Sequence, residues 1–352
     1  MYQSLTRILL VSLLLLASGC ATLGWYGQAM RGQLELLANR TDIERLLAEP
    51  SLPAERREAL ELALEAREFA SRALALPDND SYRSYVQLDR DAVLWNVVAV
   101  PEFSLTPKPW CYPFVGCLAY RGWFRRDAAE RTARRLADEG FDVRVAPVAA
   151  YSTLGTFDDP LTSPMLAWGP ERLAGLIFHE LAHQRLFVAG DTAFSEAYAT
   201  AVERAGLDRW LESRGNVAAR KRVAEQRRLA ADFTELLLQA RDELGEIYAS
   251  RRSDAARRQA KAERFAQLRE AILDFSERPG ASNYAAWARV ELNNADLALR
   301  ATYEEGTRAF GALLAEYDGD FARFHAAAEA LADQGPEARD AFLNSCRTTA
   351  CP

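Results

Sequence analysis

The chain has 352 residues, of which 49% are hydrophobic and 26% are charged, and its formal net charge is −7. This length and hydrophobic content support a substantial core in one or two domains. The acidic balance argues against a nucleic-acid partner, and the sequence has neither a phosphate-binding glycine loop nor a Gly-x-Ser-x-Gly nucleophile motif.

The amino terminus is predicted to be a targeting segment. Arg7 supplies a positive charge, and residues 8–16 are almost wholly apolar. Such a run is too short to span a bilayer as a stable helix and is typical of a secretory signal peptide. Small residues then precede Cys20, a pattern that resembles the lipobox of bacterial lipoproteins.

The lipobox resemblance implies removal of residues 1–19 and lipidation of the Cys20 thiol. The residue after Cys20 is Ala21. An Asp at this position would resemble the signal that retains lipoproteins in the inner membrane of enteric bacteria. The predicted location is therefore the bacterial outer membrane, facing the periplasm. Several acyl chains would anchor the chain stably, because two chains exceed the marginal membrane affinity of one. An ordinary signal peptide with a chance cysteine is the alternative.

Three regions are predicted after the signal peptide. Residues 20–80 form an N-terminal helical segment, because apolar residues recur at helical spacing on both sides of Pro50 and Pro53. Residues 81–213 form the catalytic core. It begins with a strand-rich part whose predicted elements are strands at Val93–Ala99, Leu118–Phe124 and Phe141–Val145 and a helix at Asp127–Glu139.

The core also contains the pattern His179-Glu180-x-x-His183. Residues four apart share one face of a helix, so both histidines can direct a ring nitrogen at one Zn²⁺ ion. Glu180 is then placed to act as general base on a water molecule without binding the metal. The chain has only three histidines, which makes a chance match improbable. The alternative is a buried helix with two hydrogen-bonded histidines.

A helix is predicted for this pattern, starting at Trp168-Gly169-Pro170-Glu171 and stopping near Val188-Ala189-Gly190. Asp191 or Thr192 can cap a second helix, which places Glu196 in an early turn as the third ligand. Glu203 follows two turns later on the same side. Thr200 is a candidate to support a ligand.

The segment His179-Glu-Leu-Ala-His183-Gln184 with Ser195-Glu196-Ala-Tyr198-Ala199 resembles the gluzincins, zincin peptidases in which a downstream Glu completes the zinc site. Most of the mature chain resembles a family of bacterial predicted aminopeptidases placed among the zincins. The matching segments include Trp95–Ala99, Pro101–Leu105, Trp110-Cys111 with Gly116-Cys117, and Leu292–Ala295.

This resemblance implies a zincin-like α+β fold, mostly α-helical, with one Zn²⁺ per chain held by His179, His183 and Glu196. A small sheet lies beside the active helix in zincins and its edge strand pairs with an extended substrate. Ala150–Gly155 is the candidate edge here, and an internal strand without a substrate role is the alternative. By residue type alone, the candidates to stabilise the transition state are Tyr303 and Tyr198, with Tyr284, Asn293 and Asn294 as alternatives. The Gly-x-Met-Glu-Asn motif of one large aminopeptidase family is absent.

Apart from Cys20, four cysteines form two close pairs, Cys111 with Cys117 and Cys346 with Cys351. In an oxidising compartment they predict two small-loop disulfides, with free thiols or a second zinc site as alternatives.

Residues 214–352 are predicted to form a helical C-terminal region. It contains a long hairpin over Val217–Ala249 and Ser253–Phe275, and further helices over Ala285–Tyr303 and Gly306–Tyr317. The predicted function is a lipid-anchored zinc peptidase of the cell envelope that acts on peptides. A non-catalytic lipoprotein with a structural zinc, or a zinc hydrolase of another amide, are the alternatives.

Overall fold

The computed structural model describes residues 24–112, 116–298 and 304–346. The predictions for Cys20, Tyr303 and Cys351 lie outside these residues. No helix within the described ranges is both long enough and apolar enough to cross a bilayer.

The fold is α+β and mostly helical, as predicted. The helices are α1 (residues 24–38), α2 (Ile43–Leu47), α3 (Ala54–Leu74), α4 (Arg126–Asp138), α5 (Ser163–Leu166), α6 (Pro170–Arg185), α7 (Thr192–Ser213), α8 (Val217–Ala249), α9 (Asp254–Ser276), α10 (Ala285–Ala288), α11 (Asn294–Ala298), α12 (Glu304–Glu316), α13 (Phe321–Ala332) and α14 (Pro336–Leu343). The strands are β1 (Thr41–Asp42), β2 (Ser84–Val86), β3 (Leu94–Pro101), β4 (Trp110–Tyr112), β5 (Gly116–Leu118), β6 (Arg121–Trp123), β7 (Phe141–Val148) and β8 (Leu161–Thr162).

The strands form three small sheets. The largest has the order β6-β3-β7 and is antiparallel throughout, with Val97 opposite Val145. A second sheet has the order β1-β2-β8, in which β2 and β8 run parallel. The third is the hairpin β4–β5, whose strands are joined by a disulfide between Cys111 and Cys117. Helix α4 packs against β3 and β7 through buried Ala129 and Leu136.

Two strand predictions are wrong in detail. The predicted strand Leu118–Phe124 is divided, because β5 pairs with β4 whereas β6 pairs with β3. The predicted edge strand Ala150–Gly155 is a loop. Leu154 and Gly155 have φ values of +55° and +79°, which turn the backbone away from an extended course. The Thr153 amide and hydroxyl both donate to the Asp159 carboxylate, and these bonds fold the loop on itself.

Helices α3, α6 and α7 share the main hydrophobic core. Gly206 of α7 permits their close approach: a Cβ atom there would lie 2.7 Å from a methyl of Leu74 in α3 and 3.1 Å from the Phe178 ring in α6. Helices α12, α13 and α14 cover the other side of α7 with Phe310, Phe324 and Leu343. The α3 segment thus packs directly on the helices that carry the predicted site. The predicted division of the chain into regions, with boundaries after residues 80 and 213, remains a prediction.

The long hairpin α8–α9 is present as predicted and builds a second core around Phe233. Two ion pairs join the C-terminal region to the β6-β3-β7 sheet, Lys261 with Asp142 at 2.7 Å and Arg144 with Asp296 at 2.6 Å. The predicted continuous helix Ala285–Tyr303 is wrong, because α10 ends at Ala288 and α11 starts at Asn294. The Asn294 side chain bonds to the backbone carbonyls of Pro101 and Glu102 and to Tyr248.

Candidate metal centre

Helix α6 presents the predicted His-Glu-x-x-His residues. Gly169 precedes it with a φ of +84°, and Pro170 and Glu171 occupy its first turn. Proline fixes a helical φ without losing a hydrogen bond at this position, and the carboxylate complements the helix dipole. The opposite side of α6 is anchored in the core by Leu173, Ala174, Ile177, Phe178, Leu181 and Ala182.

Helix α7 returns towards α6 after a short loop and carries Glu196 near its start. The Asp191 side chain accepts a hydrogen bond from the Phe194 amide, which confirms that Asp191 caps the helix. Arg339 donates to the same carboxylate at 2.6 Å. The Ser195 hydroxyl accepts from the Val188 amide at 3.0 Å. These contacts hold the first turn of α7, and with it Glu196, beside α6.

His179, His183 and Glu196 converge on one point. The two histidine Nε2 atoms lie 3.1 Å apart. Glu196 oxygens lie 3.4 Å from His179 Nε2 and 3.6 Å from His183 Nε2. Tetrahedral zinc with ligand bonds of about 2.0–2.1 Å places neighbouring ligand atoms about 3.3 Å apart. The three side chains therefore fit the edges of such a site, and two imidazoles with one carboxylate are a donor set that zinc accepts.

Glu203 completes the centre as the partner of His179. Its carboxylate lies 3.1 Å from His179 Nδ1, which leaves Nε2 directed at the convergence point. A carboxylate on the far nitrogen of a metal-binding histidine fixes the ring orientation and raises its basicity. Gly175, one turn before His179, makes room for this contact, because a Cβ there would lie 3.3 Å from Glu203 Cγ. His183 Nδ1 is buried without a hydrogen-bond partner among the described residues.

The pKa of each ionisable side chain in the centre depends on the charges of its neighbours. Burial alone would lower the pKa of His179, but its bonds to Glu196 and Glu203 raise that pKa well above its usual value. Burial and the neighbouring His179 lower the pKa of His183 to about 4. Although burial opposes it, the contact with His179 holds the pKa of both Glu196 and Glu203 below the usual range. Both carboxylates are therefore anionic at neutral pH, which suits a cation at the convergence point.

Glu180 follows His179 and lies beside, not within, the three-residue cluster. Burial raises its pKa to about 7; the charge of His179 opposes this rise, and the carboxylates of Glu196 and Asp159 add to it. Helical geometry turns Glu180 about 100° from His179 around the α6 axis. The structure brings the predicted ligands His179, His183 and Glu196 together, and Glu180 follows His179 on the same helix.

The prediction of Tyr198 as a transition-state stabiliser is corrected. Tyr198 is fully buried in the core, and its hydroxyl lies 2.8 Å from His325 Nδ1. The other nitrogen of His325 bonds to the Leu74 carbonyl at 2.8 Å. This hydroxyl is engaged between α7, α13 and the end of α3, so it is unavailable to a substrate. Tyr303 lies outside the described residues.

Thr200 was a candidate to support a ligand, and the structure shows such a contact for Glu203, whose carboxylate lies 3.1 Å from His179 Nδ1. The available signal was spacing: Glu196 and Glu203 are seven residues apart, two turns on one face of α7. That face meets α6 along its length, so the first carboxylate reaches the ligand nitrogens and the second reaches the far nitrogen of His179.

Replacing Glu203 by Gln is expected to lower zinc affinity by about 10–100-fold, because the neutral amide orients and polarises His179 less well. Competition with a chromogenic chelator measures the affinity. Glu212→Gln is the matched control, since Glu212 lies on the same helix and its exposed side chain pairs with Arg220. Equal affinities for Glu203→Gln and the parent would remove Glu203 from the centre.

One of three comparisons with known proteins finds a match for the chain. The family model described as "Putative aminopeptidase" matches residues 24–343 of the 352-residue chain. Searches of the curated proteins and of the solved structures returned no match.

Proposed function

The chain belongs to the protein family described as "Putative aminopeptidase", and from this premise we propose that it is a zinc-dependent peptidase with a zincin-like catalytic core of the gluzincin type. The observation that carries the proposal is the convergence of His179, His183 and Glu196, whose ligand atoms all lie within 4.8 Å of one another. A helical protein that used zinc only as a structural staple would need these three residues but would not need Glu180.

We assign different roles in peptide hydrolysis to different residues of the centre. His179, His183 and Glu196 would hold the ion, and Glu203 orients His179 through Nδ1. Bound zinc would polarise the scissile carbonyl and lower the pKa of a water molecule towards about 7. Glu180 lies next to the ligands and is placed to accept a proton from the attacking water. It then delivers this proton to the leaving amine, as one group can serve first as base and then as acid.

We further propose that the chain works in the bacterial cell envelope, anchored by lipid on Cys20 in the outer membrane and facing the periplasm. The apolar run before Cys20 and the small residues beside it support this location. Replacing Cys20 by Ser should release the protein from the membrane fraction and abolish labelling by a fatty-acid analogue. Unchanged fractionation would contradict the anchor without affecting the peptidase proposal.

Peptide hydrolysis by the purified chain from residue 21 tests the proposed activity. The substrates are two matched fluorogenic peptide libraries, one with free and one with acetylated amino ends. We expect hydrolysis in the presence of zinc, loss of activity with a chelator, and recovery when zinc is restored. Cleavage confined to free amino ends would identify an aminopeptidase, and cleavage of both an endopeptidase. A zinc-loaded protein that cleaves neither library would contradict the peptidase proposal and favour a structural zinc.

A further inference from the structure

The segment between α6 and α7 directs one phenylalanine at the candidate metal centre. Leu186, which follows the last residue of α6, has an extended backbone with a φ of −145° and a ψ of 118°. Leu186 and Val188 both pack against the main hydrophobic core. Side chains of an extended segment alternate between its two sides, so Phe187 points away from this core. Its ring lies edge-on to the His183 imidazole, with the two ring centres 6.2 Å apart.

Contacts of the neighbouring residues fix the backbone that carries Phe187. The Val188 amide donates a hydrogen bond to Ser195 Oγ at 3.0 Å, which ties the segment to the first turn of α7. The β4–β5 hairpin packs closely on the same segment, because a Cβ atom at Gly116 would lie 2.8 Å from the Gly190 nitrogen. The Phe187 ring is therefore presented by an anchored segment that lies beside the metal centre.

The Phe187 ring lies within reach of a substrate bound at the centre. His183 Nε2 is one of the converging atoms, 3.1 Å from His179 Nε2. A ligand bond of about 2 Å, added to the separation of the two rings, places the phenyl centre within about 10 Å of an ion held there. Consecutive Cα atoms of a peptide are about 3.8 Å apart, so the side chains that flank a scissile carbonyl can extend across this distance. The half-buried ring can then be covered by an apolar substrate side chain, which releases water from both surfaces.

We propose that Phe187 is a specificity-determining residue, which lines a subsite for a large apolar side chain on one of the two residues that flank the scissile bond. A phenylalanine or leucine side chain of the substrate covers the part of the ring that contacts water in the free protein. An acidic side chain at the same place loses hydration and gains no partner from the ring. This inference rests on the proposed peptidase function and names the class of peptide that it favours.

Peptide libraries varied at these two positions test the assignment. In the parent we expect kcat/KM to be at least about 10-fold higher for phenylalanine or leucine than for alanine at one position, the size of effect that apolar pockets give. Phe187→Ala should remove this preference, while cleavage of the alanine peptide and zinc content stay at the parent values. Phe187→Leu keeps an apolar surface and should retain most of the preference. Phe265→Ala is the matched control, because Phe265 is also half-buried but packs on the second core around Phe233.

Binding of two metal-chelating probes measures the subsite without catalysis. Phenylalanine hydroxamate and glycine hydroxamate share the chelating group and differ in the side chain. Isothermal titration calorimetry of the zinc-loaded parent should show at least about 10-fold tighter binding of the phenylalanine probe. Phe187→Ala should bind the two probes with similar affinity, because the apolar surface that distinguishes them is lost.

A parent without the apolar preference, or a Phe187→Ala variant that retains it, would overturn the assignment. Equal weakening of both hydroxamates in Phe187→Ala would also overturn it, because a ring that only covers His183 would have this effect. A zinc-loaded parent that cleaves no peptide would contradict the proposed function instead. The calorimetric comparison then decides: a preference for the phenylalanine probe that Phe187→Ala abolishes supports the subsite, and equal affinities in the parent overturn it.

Discussion

Replacing Glu180 by Gln is expected to reduce peptide hydrolysis by about 10²–10⁴-fold, the range observed when a general acid–base is removed. The amide keeps the shape of the side chain but cannot accept the proton from water or return it to the leaving amine. Glu180 is not one of the three converging ligands, so zinc content should equal that of the parent. Steady-state kinetics on the best library peptide, with metal analysis of the same sample, measures both quantities.

Glu171→Gln is the control for this substitution. Glu171 lies in the first turn of the same helix and pairs with Arg222 at 2.6 Å, two turns before His179. Its loss should leave kcat unchanged. A Glu180→Gln variant as active as the parent would show that the centre does not use Glu180 as a base and would favour a structural metal.

Replacing Arg67 by Met is expected to lower the free energy of unfolding by about 3–5 kcal/mol, because several buried carbonyls lose their donor and each unsatisfied buried acceptor costs about 1–3 kcal/mol. The Arg67 side chain is fully buried and donates to the carbonyls of Ser81, Pro77 and Asn79 at 2.7–2.9 Å. The methionine would fill the space but leave these carbonyls without a donor. The same bonds hold the turn at residues 79–82, whose Asn79 and Ser81 side chains hydrogen-bond to Gln184 of α6. Loss of these bonds should therefore lower the activity as well.

Urea-induced unfolding followed by circular dichroism measures the effect of Arg67→Met. Arg72→Met provides the comparison, because Arg72 lies on the same helix, is exposed and pairs with Glu68 four residues away. Such surface pairs contribute about 0.3–0.5 kcal/mol. Similar unfolding free energies for the two variants would mean that the buried bonds of Arg67 add little to stability.

The three residues of the candidate metal centre were predictable because their geometry is local. Helical spacing alone brings His179 and His183 together, and a capped helix start places Glu196 nearby. The starts of α6 and α7 also follow from local signals, the Gly169-Pro170 start and the Asp191 cap, whereas α6 ends at Arg185, before the predicted stop at Val188–Gly190. The mostly helical α+β class follows from periodicity and composition in the same way.

Other parts of the site depend on contacts between distant segments, which a single sequence does not reveal. The bond between Glu203 and His179 requires the close crossing of α6 and α7, which Gly175 and Gly206 permit. Tyr198 has the right chemistry for a stabiliser, but its direction is set by His325, 127 residues away in sequence. The loop Ala150–Gly155 has strand-like composition, yet the Asp159 carboxylate folds it into a turn.

Zinc content tests the central claim most directly. The chain from residue 21 and its His183→Ala variant would be purified in parallel, supplied with equal zinc, passed through a desalting column and analysed for metal by mass spectrometry. The convergence of His179, His183 and Glu196 predicts about one zinc per parent chain and almost none in the variant, with both proteins folded by circular dichroism. A folded parent that retains no zinc, or a variant that retains as much as the parent, would contradict the proposed metal centre and the peptidase function built on it.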